Sequence, residues 1–272
     1  MTASPRGRAL LQLPILALLG WTVVLPLTAQ NSRAQVLDRQ APLLGPGCRA
    51  GSPVGPGGPS ASTGFEADGI DLLAWLPLNQ LDPAATSGND CWGYVSPSGR
   101  EYALVGTSAG TSFVEITNPG LPVLVQNITG PTSLWRDIKT YDHYAYAVSE
   151  GGDGIQVIDL ANIDSGTVTL VTTILGPGSS SSHNLGIDEV SGFLYRFGGG
   201  SEGMRVYDLQ NPAAPAFVAS WSGIYIHDAQ VVTYQSGPLA GMQIMYACGG
   251  LNGGGTMTRL AILDVTTKSN VA

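Results

Sequence analysis

The stretch Val157-Ile158-Asp159-Leu160 is an apolar run that ends in an acidic residue flanked by aliphatic side chains, and this pattern occurs four times in the chain. The acidic positions are separated by 44, 49 and 56 residues. A repeat of roughly 40 to 50 residues that holds about four short strands is typical of propeller blades. The sequence therefore predicts an all-β fold, a β-propeller of four-stranded blades. The other copies are Phe113-Val114-Glu115-Ile116, Val206-Tyr207-Asp208-Leu209 and Ile262-Leu263-Asp264-Val265.

Short strand-forming runs separated by Gly, Asp, Asn or Ser divide residues 91–265 into four units. Units one and three follow the same plan as unit two, whereas unit four, which starts at His227, has three predicted strands. No helical period lasts more than a turn or two, so nothing opposes the all-β interpretation. The predicted strands of unit two are Asp137–Tyr141, Tyr144–Ser149, Ile155–Leu160 and Thr169–Ile174.

A further apolar run, Ile70–Leu76, precedes unit one and predicts a lone strand. In closed propellers a terminal strand commonly completes the last blade. This run could therefore supply the fourth strand of unit four and close a ring of about four blades. The alternative is that the chain is a truncated piece of a larger propeller. The sequence favours this alternative, because the repeat pattern stops inside a unit.

The N-terminus predicts export. Two arginines precede an apolar run from Ala9 to Leu27, and small residues follow up to Ala34, which is the pattern of a signal peptide over residues 1–34. An uncleaved membrane anchor is the alternative, because the run is nearly long enough to span a bilayer. Two prolines inside the run favour cleavage. We expect a secreted or cell-surface protein with no transmembrane domain after signal cleavage.

Residues 35–66 are rich in Pro, Gly and Ser and lack apolar periodicity, which predicts a disordered linker. The remaining residues, 67–272, are enough for one propeller domain with its own core. The formal net charge is −8 and the isoelectric point is near 4.7. No basic stripe is present to neutralise phosphates, which excludes nucleic acid as a partner.

The three cysteines carry little information about function. Cys91 and Cys248 fall in predicted strands, so we expect them to be buried small hydrophobic residues. No CxxC pair exists in the sequence, which makes a cysteine zinc site improbable.

Several separate motifs, in the same order, give the chain a resemblance to a known family. They are Cys91-Trp92-Gly93-Tyr94, the run 99–106, the run 110–116, the run 134–139, the run 144–151 and the run 225–232. Together they resemble the choice-of-anchor B family of exported bacterial proteins, which is built from LVIVD repeats. The resemblance covers residues 70–272. It implies a secreted, surface-associated β-propeller and implies no settled biochemical activity.

Superposing the units places polar residues at the start of the innermost strands, where a propeller has the mouth of its central channel. Trp135 lies beside these positions, and with Trp92 and Tyr225 it could form an aromatic wall for a sugar or a peptide. Packing between blades explains these aromatic residues equally well. The first slot holds Arg136, His183 and His227, and the second slot holds Asp137, Asn184 and Asp228.

Two interpretations of the slots stay open. Imidazole nitrogens and carboxylate oxygens can bind a divalent cation, and the candidate ligands are Asp137, His183, His227 and Asp228. Alternatively, each Asp or Asn fixes the turn that enters its strand by accepting backbone N–H bonds. The second interpretation is favoured, because repeat-equivalent polar residues usually have a repeat-equivalent structural role.

Catalytic patterns are weak. Serines precede His183, but there is no G-x-S-x-G motif, and the glycine-rich tracts lack the Lys-Ser/Thr of a phosphate-binding loop. The sequence therefore favours an exported, surface-associated propeller that acts as an interaction or ligand-binding module, with an extracellular protein or glycan as its ligand. The alternative is a metal-dependent hydrolase or lyase that uses the four candidate cation ligands.

Overall fold

The computed structural model describes residues 72–200, 203–250 and 258–272. The predicted signal peptide (1–34) and linker (35–66) lie outside these ranges and remain predictions. No helix in the described ranges is both long enough and apolar enough to cross a membrane.

The described chain is built almost entirely from short strands, with one turn of α-helix, α1 (Leu78–Leu81), and a 3₁₀ turn at Ile163–Ser165. The strands are β1 (Gly88–Val95), β2 (Glu101–Thr107), β3 (Gly110–Glu115), β4 (Val123–Thr129), β5 (Arg136–Tyr141), β6 (Tyr144–Ser149), β7 (Ile155–Asp159), β8 (Thr169–Ile174), β9 (Asn184–Asp188), β10 (Phe193–Phe197), β11 (Met204–Asp208), β12 (Ala216–Trp221), β13 (Tyr225–Thr233), β14 (Gln243–Gly250) and β15 (Arg259–Asp264).

The strands form four antiparallel sheets in which spatial order follows chain order. Blade one is β1–β4, blade two is β5–β8, blade three is β9–β12 and blade four is β13–β15. The first strands contact one another in sequence, β1 with β5, β5 with β9 and β9 with β13. This is the arrangement of propeller blades around a central axis. The prediction of a β-propeller with four-stranded blades is confirmed, with a three-stranded sheet as blade four.

The hydrophobic core lies between consecutive blades. One buried cluster joins blades one and two, and a second joins blades two and three. A third joins blades three and four. Because the middle strands are covered on both faces, they read as nearly continuous apolar runs, as in Tyr144–Ser149. Burial between neighbouring blades is therefore what holds the domain together.

The repeated acidic residues fix the turns that follow the third strands. Asp159, Asp208 and Asp264 each accept, through Oδ1, the backbone N–H two residues further on, at 2.7, 2.7 and 2.9 Å. Glu115 is one methylene longer and instead pairs with Arg100, whose Nε donates to Glu115 Oε1 at 2.9 Å. The signature that marks each repeat is thus a turn element in three blades and an ion pair in the first.

Residues 72–76 are the described part of the run predicted as a lone strand. Within it Leu72 and Trp75 form isolated bridges, and α1 then packs near β4 of blade one. The Ser112 hydroxyl donates to the Leu81 carbonyl at 3.1 Å, which ties this segment to blade one. In the described residues, the sheet of blade four has three strands.

A residue beyond β15 also pairs with blade four. The Asp264 N–H donates to the Ala272 carbonyl at 2.7 Å, and the Ala272 N–H donates back to Asp264 at 3.1 Å. In blade one Val123 pairs with Glu115, and in blade three Ala216 pairs with Asp208. Ala272 thus pairs with Asp264 as the first residue of the fourth strand pairs with the acidic residue in blades one and three.

Candidate functional site

The two polar slots lie where the innermost strands begin, as predicted. β5 starts at Arg136, β9 starts one residue after His183, and β13 starts two residues before His227. The side chains of the slots nevertheless have different surroundings. Some lie between the blades, and others lie at the mouth of the channel.

Arg136 is a buried link between blades one and two. Its Nε donates to the Thr107 carbonyl at 3.1 Å, and Nη2 donates to the Pro131 carbonyl at 2.7 Å. Gly130 leaves room for the guanidinium, since a Cβ there would lie 2.7 Å from Nη1. Burial lowers the pKa of Arg136, and the charge of Asp82 opposes that effect. A side chain so enclosed holds blades together and is not open to a ligand.

Asp137 and Asn184 of the second slot, and Asp90 of β1 before them, join each innermost strand to the next. The Ile138 N–H donates to Asp90 Oδ2 at 3.2 Å, and the Leu185 N–H donates to Asp137 Oδ2 at 2.7 Å. Asn184 continues the series, because its Nδ2 donates to the His227 carbonyl at 3.0 Å. The geometry agrees with the structural interpretation of this slot, with the difference that the bonds cross between blades.

Asp137 also lies in a cluster of charges below the mouth. It is almost fully buried, pairs with Lys139 and accepts the Ile138 N–H through Oδ1 at 2.9 Å. Asp90 Oδ2 lies 3.8 Å from Lys139 Nζ. Burial, together with a hydrogen bond to the Asp90 side chain, raises the pKa of Asp137 to about 7. The two carboxyl groups share one lysine inside the inter-blade contact.

Three aromatic rings line one side of the channel mouth, and we call them the ring strip: Trp135, His183 and His227. The Trp135 and His183 ring centroids are 5.5 Å apart, and those of His183 and His227 are 4.1 Å apart. Trp135 is 47% exposed, and His227 is exposed. The strip is therefore an accessible, partly apolar surface built from side chains of three consecutive blades.

Glu150 orients the central ring of the strip. Its Oε1 lies 2.7 Å from His183 Nδ1, and its backbone N–H donates to the Trp135 carbonyl at 3.2 Å. An ionised carboxylate can only accept, so Nδ1 carries the proton and Nε2 of a neutral ring is left as an acceptor. Sequence reasoning missed Glu150. The pairing register of blade two could have indicated it, because Arg136 pairs with Ser149 and residue 150 therefore lies at the mouth.

His227 makes the ring strip sensitive to acid. Desolvation of the ring, and the positive charge that His183 can carry, hold the pKa of His227 below its ordinary value of about 6.5. The unfolded chain therefore takes up a proton at a higher pH than the folded chain does. The stability that the neutral His227 ring contributes is fully present above about pH 6.5. It is lost as the pH falls through the lower pKa that His227 has in the folded chain.

We expect the thermal midpoint of the wild-type chain to fall, relative to that of His227→Gln, between pH 7.5 and pH 5. The glutamine variant lacks the titrating ring, so the difference between the two chains isolates His227 from other acid-sensitive groups. Thermal unfolding followed by circular dichroism at four or five pH values measures this difference. Parallel pH curves for the two chains would contradict it.

The structure does not assemble the predicted cation site. His183 and His227 lie together at the mouth, whereas Asp137 is buried against the Leu185 backbone and Asp228 accepts the Ala229 N–H at 2.8 Å. Across the described ranges, no group of three or more His, Cys, Asp or Glu side chains could hold a metal ion.

A cavity of about 360 Å³ lies further along the innermost strands. All four blades contribute to its wall. The Trp92 Nε1 donates to Thr140 Oγ1 at 3.1 Å, and Lys139 Nζ lies 4.5 Å from the Trp92 ring centroid. Trp92 therefore belongs to the channel wall, whereas Tyr225, the third predicted aromatic residue, is buried. Other residues of the wall are Ile187, Glu189, Gln230 and Thr233.

Comparison with known proteins yields structural likenesses and no family. No protein-family model matches the chain, and no curated protein matches it. A functionally unknown protein from Desulfotomaculum acetoxidans DSM 771 is similar, with a TM-score of 0.48 and 14% identity over 66% of this chain and 55% of that chain. Kuenenia stuttgartiensis hydrazine synthase has a TM-score of 0.44 and 12% identity over 68% of this chain and 50% of that chain. TolB from Acinetobacter baumannii has a TM-score of 0.33 and 15% identity over 66% and 40%.

The chain thus spans about half the length of the first two of these structures. Likenesses at this level of identity assign no activity to it. The propeller assignment is carried by the sheets and by the contacts between their first strands.

Proposed function

We propose that this protein is an exported, surface-associated β-propeller that acts as a ligand-binding module, and that its ligand is an extracellular glycan held at the ring strip. The observation that carries the proposal is the accessible row of rings formed by Trp135, His183 and His227 beside the Glu150 carboxylate. A binding surface supplied by three separate blades is typical of propellers, in which the platform is structural and the mouth varies.

The chemistry of the strip suits a sugar. The C–H face of a pyranose ring is apolar and can pack on the exposed face of Trp135. Hydroxyl groups can then donate to His183 Nε2 and to the Glu150 carboxylate, which is 33% exposed. A ligand site is expected to combine an aromatic surface with a small number of polar groups, as the ring strip does.

Export and surface association rest on the N-terminal sequence and on the resemblance to the choice-of-anchor B family. Export and surface association are therefore parts of the proposal. A ligand-binding module outside the cell agrees with the acidic composition of the chain. No specific observation favours the metal-dependent hydrolase or lyase, because the described residues do not gather its predicted ligands.

We expect Trp135→Ala to weaken glycan binding at least tenfold while leaving the thermal midpoint nearly unchanged, because the ring is half exposed and contributes a stacking surface. A glycan array identifies the ligand, and titration calorimetry measures the affinity of each variant. Trp92→Ala is the matched control, since it removes an indole from the channel wall and should keep the affinity within about twofold.

An equal loss of affinity in both variants would show that the ligand binds in the channel and not at the ring strip. Binding of an extracellular protein and of no glycan would show that the ligand is a protein. Unaltered binding by Trp135→Ala would refute the proposed site.

A further inference from the structure

Two buried arginines lie directly opposite each other in the middle strands of blade three. Arg196 of β10 pairs with Arg205 of β11, and the two residues are 0% and 4% exposed. Side chains alternate between the faces of a strand, so both arginines share the face of Leu194 and Tyr207, which packs against blade two. Directly opposed residues have Cβ atoms about 5 Å apart. Blades two and three therefore enclose two like charges side by side.

The segment 175–182, which leads into β9, covers the two arginines, and we call it the covering loop. Arg196 Nη1 donates to the Leu175 carbonyl at 3.0 Å, and its Nη2 donates to the Ser179 carbonyl. Gly178 packs closely on the second arginine, since a Cβ there would lie 3.3 Å from Arg205 Nε. The carbonyl dipoles of the covering loop solvate part of one guanidinium, and they supply no negative charge.

Several donors around the two arginines are left without an acceptor. Arg196 Nε, Arg205 Nη1 and the Tyr207 hydroxyl are buried and have no hydrogen-bond partner in the part of the chain that the structure describes. Within the same ranges, no carboxylate forms an ion pair with either arginine. The Tyr207 hydroxyl keeps its proton, because burial raises its pKa although both arginines act to lower it. The arrangement therefore offers two positive charges and three unused donors.

One guanidinium occupies the equivalent space between blades one and two, and protein acceptors satisfy it. Gln156 lies three residues before Asp159, as Arg205 lies three residues before Asp208, so the two positions are equivalent. The Gln156 Oε1 accepts from Arg136 Nη1 at 3.5 Å. Between blades two and three, a second guanidinium stands where this neutral acceptor would be.

Two enclosed guanidiniums without a counter-charge would destabilise the fold strongly, because burial removes the water that screens them. A water molecule could accept the unused N–H bonds and would leave both charges in place. Burial and the neighbouring charge of Arg196 lower the pKa of Arg205. A guanidinium nevertheless loses its proton only far above neutral pH. An anion is therefore the partner that balances both the charges and the donors.

We propose that Arg196 and Arg205 bind a small inorganic anion of the size of chloride between blades two and three, with the Tyr207 hydroxyl as a third donor. Hydrogen bonds from charged donors to an anion are the strong ones, and the ion also offsets the repulsion between the two guanidiniums. The enclosed position of the donors favours a monatomic ion over a larger oxyanion. Because the donors come together only in the folded chain, the ion stabilises the fold by mass action.

The chloride dependence of thermal unfolding tests the proposal. The full chain is unfolded at increasing chloride and constant ionic strength, with gluconate as a balancing anion too bulky for the site, and circular dichroism follows the transition. We expect the wild-type midpoint to rise by about 5 °C over a roughly hundredfold increase in chloride. Arg205→Gln, which installs the residue of the equivalent position in blade two, should lose this dependence and unfold no earlier than the wild type at the lowest chloride concentration. Arg259→Gln, which alters an exposed residue of β15, is the matched control and should keep it.

Tyr207→Phe removes only the third donor, and we expect it to raise the chloride concentration of half-saturation severalfold. Glu202 is close to Arg205 along the chain and lies outside the described residues, and Glu202→Gln should leave the chloride response unchanged. An equal rise of the midpoint in the wild type and in Arg205→Gln would indicate a general salt effect and overturn the proposal. A wild-type midpoint that does not respond to chloride would overturn it as well, and a destabilised Glu202→Gln would then identify Glu202 as the counter-charge.

Discussion

Replacing Arg136 by alanine is expected to lower the free energy of unfolding by about 3 kcal/mol. The guanidinium donates to carbonyl groups of Thr107 and Pro131 between the blades, and the variant would remove this donor from both acceptors. It would also empty the space of a side chain that is 1% exposed. Chemical denaturation measures the effect, which should appear in the midpoint with little change in the slope.

The control for this variant is Arg259→Ala. Arg259 is exposed on β15, so its removal should change stability by no more than about 0.5 kcal/mol. A loss at Arg136 no larger than that at Arg259 would show that the guanidinium does not join the blades. The side chain would then be open to the role in ligand binding that its slot first indicated.

Asp137→Ala is expected to cost about 2 kcal/mol. The variant removes the acceptor of the Leu185 and Ile138 N–H groups and the nearest partner of the Lys139 ammonium. Asp228→Ala is the matched control, because Asp228 holds the same position in blade four and is exposed. Its removal should cost less than about 0.5 kcal/mol.

The contrast between these two variants separates the structural role from the binding role. Equal, small losses would mean that the inter-blade bond of Asp137 contributes little, and that a ligand role for this slot should be reconsidered. Thermal unfolding of both variants beside the wild type is enough to decide.

The fold could be predicted from the sequence because its signals are local. The acidic residue at the end of each third strand sets a turn within two residues, and so repeats visibly along the chain. The positions of the slots at the channel mouth followed from the same repeat. What could not be predicted is the direction of each side chain, because Arg136 and His183 share a slot while one points between blades and the other to the mouth.

Contacts between segments that are distant along the chain could not be predicted from the sequence either. Glu150 joins the site through the pairing of β5 with β6, and no pattern around it marks a functional residue. Cys91 and Cys248 read as core residues because their strands are those of blade interiors. Both are exposed, so the expectation that they are buried small hydrophobic residues is wrong.

The chain has three histidines, and this allows one direct test of the proposed site. His183 and His227 belong to the ring strip, whereas His143 lies in the turn at the far end of β5 and serves as an internal control. The measurement is the NMR spectrum of labelled imidazole groups, recorded while a glycan bound by the wild-type chain is added. We predict that the signals of His183 and His227 shift together and saturate with the binding curve, while that of His143 stays in place. Saturated binding without a shift of those two signals, or a shift of His143 alone, would contradict a ligand site at the ring strip.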